Sequence, residues 1–286
     1  MIQIFNKLSL VYNVSSWFGI VNWAKLKFGL KVTREAKSVI EILEWAFKSK
    51  TSIKSVSGII QIVNKTDNLS LDFFLRIRSS DALVFKQIIL LKELEPAFLY
   101  FKNKNVSPKL MLDGGGNIGF SSRYMLALFP DLKSLIIEPN KGNAEMIRKN
   151  LPQNRYSLLE QAIWFENGIV FPDQEKNKGE SEWGFSVHAS KVQEEDEEGG
   201  IKANTIESIL ENCGFGIPDY LKLDIEGAEE VVFKRDLNLF SILKKVSCFS
   251  VEAHSCEFEV ELKFILRELG FRVEKSGELI FGFRDE

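Results

Sequence analysis

The chain predicts an α/β fold: a mostly parallel sheet with flanking helices, preceded by an N-terminal extension of helix and hairpin. Three observations carry this. From about residue 110, short apolar runs alternate with stretches of helical period, the pattern of strands joined by crossover helices. The first run, Met111-Leu112-Asp113, breaks into Gly114-Gly115-Gly116-Asn117-Ile118-Gly119 just before a helical stretch. Polar residues recur where the runs end, at Asp113, Glu138, Asp224 and His254, and the ends of strands are where open parallel sheets bind ligands.

The N-terminal 50 residues read as helical, with Ala36, Ile40, Leu43 and Phe47 on one face. Residues 8–30 are apolar, but Asn13, Ser15, Ser16 and Asn22 interrupt them, so they fall short of the run of about 20 residues that spans a bilayer. Packing against the main domain is expected there. Trp17, Phe18 and Trp23 offer contact with a membrane surface as the alternative. Residues 53–78 alternate and are rich in β-branched and aromatic types, which predicts a hairpin turning at 64–68. Ser80 and Asp81 then read as the cap of a helix bearing Leu83, Gln87, Leu90 and Leu91. The extension is taken to run to residue 105 and the main domain from 106 to 286.

In the main domain the glycine turn feeds a helix with Ile118, Ser122, Met125 and Phe129 on one face. A strand at 135–137, a helix with Ala144, Ile147 and Leu151, and a strand at 157–164 follow. Residues 172–200 form a polar, acidic insertion that reads as a solvated loop. Its apolar stretch, Trp183-Gly184-Phe185-Ser186-Val187-His188, is expected to fold over the site. Further strands at 220–223 and 246–251 lead to a helix with Phe258, Leu262, Ile265 and Leu269, which stops at Gly270 before a closing hairpin.

With 286 residues and 45% hydrophobic content the chain can fill one large core. A net charge of −3 provides no basic field, which argues against a nucleic-acid partner. The three cysteines, Cys213, Cys248 and Cys256, lack metal-ligand spacing and point to reduced thiols in a cytoplasmic setting. Two histidines, His188 and His254, are too few for a histidine-rich metal site, and no metal is expected.

The glycine turn delivers the backbone to a helix N-terminus, where unpaired N–H groups favour an anion and where a ligand can approach with no Cβ in its way. Glu138 ends the next strand, at close to the interval from the turn where a carboxylate grips ribose hydroxyls. Gly114-x-Gly116-x-x-Gly119 also fits the dinucleotide fingerprint, so NAD(P) stands beside S-adenosylmethionine (SAM) as a candidate cofactor. Asp113 favours SAM, because its carboxylate suits the methionine ammonium and would crowd a pyrophosphate. Asp224, Glu226 and His254 are the candidates for acid-base work, with Glu229 left as helix surface or an ion-pair partner. A non-catalytic binding module on the same fold is the remaining alternative.

Four blocks resemble the FkbM-type SAM-dependent methyltransferases: Leu112-Asp113-Gly114-Gly115-Gly116-Asn117-Ile118-Gly119, Ile137-Glu138-Pro139-Asn140, the run from Leu221 through Asp224 and Glu226 to Glu229, and Val251-Glu252-Ala253-His254. The third block is the most specific. The resemblance spans about 110–275, and Arg78-Ser79-Ser80-Asp81 with Phe85 and Gln87 extends it to about residue 70. It implies a Rossmann-like class I methyltransferase fold with a SAM cofactor. On that basis Asp113, Gly114, Gly116, Asn117, Glu138, Pro139, Gln161 and Ala162 hold the cofactor, while Asp224, Glu226 and His254 serve catalysis. The implied reaction is O-methylation of a small-molecule or glycan hydroxyl.

Overall fold

A computed structural model describes residues 34–49, 51–56, 59–66, 69–76, 79–172, 187–188 and 199–285. The apolar stretch 8–30 lies outside them, as does most of the insertion, including Trp183-Gly184-Phe185-Ser186. The described residues fall into two compact units, one ending at Leu91 and the other beginning at Lys92.

The first unit holds helix α1 (Arg34–Lys48), strands β1 (Ser52–Val56), β2 (Ile59–Thr66) and β3 (Leu69–Arg76), and a short helix α2 (Asp81–Phe85) that runs into a π-turn at Lys86–Leu90. The expected hairpin is a three-stranded antiparallel meander, because Ser52–Val56 adds a further edge to β2. Val39, Ile42 and Leu43 of α1 are buried, as are Ile60, Ile62, Phe73 and Leu75 of the sheet, so helix and sheet supply one apolar face each. Ser80 does not cap α2: its backbone is already helical and its side chain makes no cap bond. Asp81 turns back instead and accepts from the Arg76 backbone N–H and from its guanidinium.

The second unit contains α3 (Glu95–Asn103), β4 (Leu110–Gly114), α4 (Phe120–Leu128), β5 (Lys133–Ile137), α5 (Lys141–Asn150), β6 (Tyr156–Leu159), β7 (Ala162–Ile163), β8 (Gly168–Pro172), β9 (Val187–His188) and β10 (Ile201–Asn204). It continues through α6 (Ile206–Asn212), β11 (Tyr220–Leu223), α7 (Glu229–Arg235), α8 (Leu239–Leu243), β12 (Cys248–Glu252), α9 (Cys256–Glu268), β13 (Arg272–Ser276) and β14 (Leu279–Phe283). Seven strands form the main sheet in the order β13-β14-β12-β11-β4-β5-β6, parallel except where β14 runs against both its neighbours. The strand expected at 157–164 is two elements. It breaks after Leu159, and Ala162–Ile163 leaves to pair with β10 in a second, four-stranded sheet. Among the described residues no helix is long and apolar enough to cross a membrane.

Alternation along the strands sorts two faces. Leu112, Leu135, Ile137, Leu221, Leu223, Phe249 and Val251 point to one side and share a core with Val232 and Phe233 of α7 and Phe258, Leu262 and Leu266 of α9. The intervening residues point to the other side, where Asp113, Lys222 and Ser250 interrupt the apolar character and yet are buried. Lys222 lies between Asp113 of β4 and Ser250 of β12 in the parallel register. The sheet therefore buries a cation against a carboxylate at its centre.

Candidate cofactor and acceptor site

The chain adds β5 and β6 to one side of β4, then returns to add β11 and β12 to the other. The order thus reverses between β4 and β11, and the crevice above such a switch point is where open α/β sheets bind ligands. Asp113 and Asp224 stand on its two sides.

The glycine turn is shaped first by the protein's own packing. Gly115 has φ +73°, and a Cβ there would lie 1.6 Å from the Asp224 carbonyl oxygen. At Gly116 a Cβ would meet Ile136 Cγ2 at 2.2 Å, and at Gly114 it would meet Ile163 Cδ1 at 2.7 Å. The space expected for a ligand beside these glycines is filled by neighbouring strand ends, so the glycines let β4, β5 and β11 close together.

Asp113 is fully buried. Its Oδ2 accepts from the Ser122 backbone N–H at 3.1 Å and hydroxyl at 2.6 Å, and its Oδ1 lies 3.6 Å from the Lys222 ammonium. Burial raises its pKa, and Lys222 opposes that shift without overcoming it. Glu138 caps the same turn from β5: Oε2 accepts from Asn117 N–H at 2.7 Å, and Oε1 from Asn140 N–H at 2.9 Å. The Asn143 side chain adds a longer bond at 3.4 Å. Burial still pushes Glu138 up to about 7. Asn117 holds a left-handed φ of +48°, and its Oδ1 is buried with no hydrogen-bond partner among the described residues. Pro139 is half-buried beside Glu138, and Gln161 and Ala162 are buried at the entry to β7.

Across the crevice, Lys222 donates to Asp224 Oδ2 at 2.9 Å. Burial would raise Asp224, but the Lys222 charge and a hydrogen bond from Glu252 hold it below the usual carboxylate range. Asp224 is 30% exposed, whereas Lys222 is 2% exposed, so of the pair it is the carboxylate that reaches the rim. The loop beyond carries Glu226 at φ +61° and then Gly227 at φ +91°. A non-glycine residue in the left-handed region costs about 1–3 kcal/mol and recurs at working sites. Glu229 is not helix surface: it is buried, and it clamps this loop by accepting from the Ile225 and Gly227 N–H groups. His254 Nε2 lies 3.6 Å from both Glu229 and Glu252, and contact with Glu229 raises the imidazole pKa. The ion-pair alternative for Glu229 fits its contact with His254, and three residues given no role in the sequence reading belong to this network: Lys222, Glu252 and Glu93. Glu93 is buried and accepts from Glu278 N–H at 2.6 Å. A lysine inside the apolar run Tyr220-Leu221-Lys222-Leu223 is a signal that could have found the cluster, while nothing in its own neighbourhood marks Glu93. Among the described residues no group of His, Cys, Asp and Glu could hold a metal ion.

This strand order, with an acidic residue and a glycine turn at the switch point, defines a Rossmann-like class I methyltransferase. Residues 113–273 match the Methyltransferase FkbM domain, and the chain belongs to that family. Its cofactor is SAM. Asp113 is turned into the sheet toward Ser122 and Lys222 rather than toward the crevice, contrary to the expected contact with the methionine ammonium. The unpartnered Asn117 oxygen and the turn that Glu138 holds suit a ligand that bears an ammonium and hydroxyls, so the residues present fit that cofactor. The chain is similar to the precorrin-6y C5,15-methyltransferase of Geobacter metallireducens GS-15, at 13% identity over 67% of this chain and 88% of that one, with a TM-score of 0.39. It is also similar to the N-terminal domain of human METTL16 in complex with SAH, at 14% identity over 90% of this chain and 85% of that one, with a TM-score of 0.41. No curated protein matches the sequence.

Proposed function

We propose that the chain is a SAM-dependent O-methyltransferase acting on a hydroxyl of a glycan or similar small molecule, with Asp224 as the base that receives the hydroxyl proton. The observation that supports this most is Asp224 itself: a carboxylate at the switch point, kept ionised by a buried lysine and open to the rim. SAM, when bound, supplies an electrophilic methyl group. The protein's part is to hold the donor, align the acceptor in line within roughly 3–3.5 Å, and take the proton.

Asn117 Oδ1 is assigned to the methionine ammonium, and Asp113, buried against Ser122 and Lys222, to bracing the turn beneath it. Glu138 is assigned to the ribose, because its Oε2 accepts one donor from the protein and a carboxylate oxygen has two lone pairs. Gln161 and Ala162 are assigned to the adenine side, with Gly114, Gly116 and Pro139 shaping the turn and its neighbour. Glu226, on its strained turn, and His254, 38% exposed, are assigned to orienting the acceptor. The carboxylate beside His254 favours its charged form, so less of the imidazole is free to accept a proton, while Asp224 is ionised and free to do so. The cytoplasm is assigned on three free cysteines.

Calorimetric titration with SAM, NAD and NADP, followed by transfer of labelled methyl from SAM to a panel of methyl glycosides, oligonucleotides and peptides, tests the reading. SAM binding with label on a glycoside oxygen is expected. Label on nucleic acid or peptide would overturn the acceptor class, and failure to bind SAM would overturn the whole assignment.

A further inference from the structure

Two carboxyl groups meet at the carboxyl ends of β11 and β12. Glu252 ends β12 on the same face of the sheet as Ser250, and its carboxyl hydrogen-bonds that of Asp224. A bond between two carboxyls needs a proton on one of them, since ionised carboxylates only accept. The surroundings decide which one holds it. Asp224 has the Lys222 ammonium at 2.9 Å. Glu252 faces the negative charges of Asp224, Glu226 and Glu229; on the other side are His254, at 3.6 Å, and the Lys222 charge, which sits in direct contact with Asp224.

We propose that Glu252 is a positioning residue: it carries the single proton of the Glu252–Asp224 pair, donates it to Asp224, and so fixes that carboxylate between two donors with its remaining lone pairs toward the acceptor. This rests on the reading of Asp224 as the base. Burial first, and then the Asp224 charge, push Glu252 up to about 11, so the proton stays put across the working range. The arrangement lets a buried carboxyl act as a donor at neutral pH. Asp224 is relieved of the choice between two protonation states.

Infrared titration of the purified full chain, without cofactor, tests the pair directly. Wild type at pH 8 should show a protonated-carboxyl band that is missing in Glu252→Gln. In Asp224→Asn the midpoint of that band should fall by at least about one unit, because the neighbouring charge is gone. No such band in wild type, or a midpoint unmoved in Asp224→Asn, overturns the proposal. Activity provides a second arm, read as labelled methyl transferred from SAM to methyl glycosides. Glu252→Gln keeps a donor toward Asp224 and should keep the rate, whereas Glu252→Leu should lose on the order of 10² in kcat with SAM affinity unchanged by calorimetry. Full activity in Glu252→Leu overturns the role. The infrared arm needs no cofactor, so wild type that fails to bind SAM sinks the methyltransferase reading and leaves the carboxyl pair to be judged separately.

Discussion

Replacing Lys222 by methionine should cost far more than an ordinary core substitution. The ammonium is 2% exposed, with Asp113 at 3.6 Å and Asp224 at 2.9 Å. At an effective dielectric of about 20, the 3.6 Å contact alone is worth roughly 5 kcal/mol. Asp113 has no access to water and would be left as a buried, unpaired charge, for which the usual penalty is about 3–5 kcal/mol. Asp224 can hydrate at the rim and adds little. With a urea m-value of about 1–3 kcal/mol/M, the unfolding midpoint should fall by on the order of 1–2 M. Asp113→Asn in the same chain removes the stranded charge, so the double variant should recover most of the loss, with a coupling of roughly 2 kcal/mol or more. The pH dependence has a definite sign. The pKa of Asp113 is already raised in the fold, and losing Lys222 raises it further. Its carboxyl then costs stability as pH rises above its unfolded value, so the deficit of Lys222→Met should be larger at pH 8 than at pH 5. Urea titrations followed by circular dichroism at both pH values measure all of this. A single-variant cost below about 1 kcal/mol, or a double variant that pays the sum of both singles, would refute the reasoning.

Gly115→Ala should destabilise by more than about 2 kcal/mol, since a left-handed φ and a Cβ 1.6 Å from a carbonyl oxygen act together; an unchanged thermal midpoint would show that the turn can open freely. SAM affinity should weaken as pH falls below about 7, where Glu138 protonates and one of its oxygens, each already accepting a backbone N–H, becomes a donor and loses acceptor capacity. Calorimetry at pH 6 and pH 8 reads this, and Glu138→Gln should flatten the difference. Glu229→Gln should lower the His254 pKa, seen by NMR as an imidazole titration midpoint that moves to lower pH; an unmoved midpoint would place the source of the shift elsewhere. The chain has only two histidines, which makes the signal easy to assign.

The sheet was legible because each strand of its core is a short apolar run and each rim residue interrupts one. Asp113, Glu138 and Asp224 could be placed from period and position alone, without any contact being known. The glycines were legible as a turn but not in their purpose. A sequence shows that Cβ atoms are missing, and only the fold shows that Asp224 and Ile136 occupy the space. The break at Leu159 was hidden because residues 157–164 are apolar on both sides of it, and pairing of Ala162–Ile163 with β10 depends on a partner about 40 residues away.

The charge network was hidden for a different reason, and that reason bears on how the site works. Lys222, Glu229 and Glu252 were visible as motif letters, and the lysine as an oddity in an apolar run, but their meaning lies in register. Parallel pairing puts Lys222 opposite Asp113 on one side and Ser250 on the other. One cation therefore touches both the strand that leads into the glycine turn and the start of the loop that carries Asp224, the proposed base. Any displacement of β11 relative to β4 stretches the Lys222 contact with Asp113, while Lys222 holds Asp224 at the end of its own strand, so the two sides of the crevice keep their spacing. A methyl transfer that demands alignment within a few tenths of an ångström is served by such a brace. The same brace explains why the polar cluster sits where an apolar core would be more stable: the sheet gives up hydrophobic packing at its centre to fix the distance between the glycine turn and Asp224.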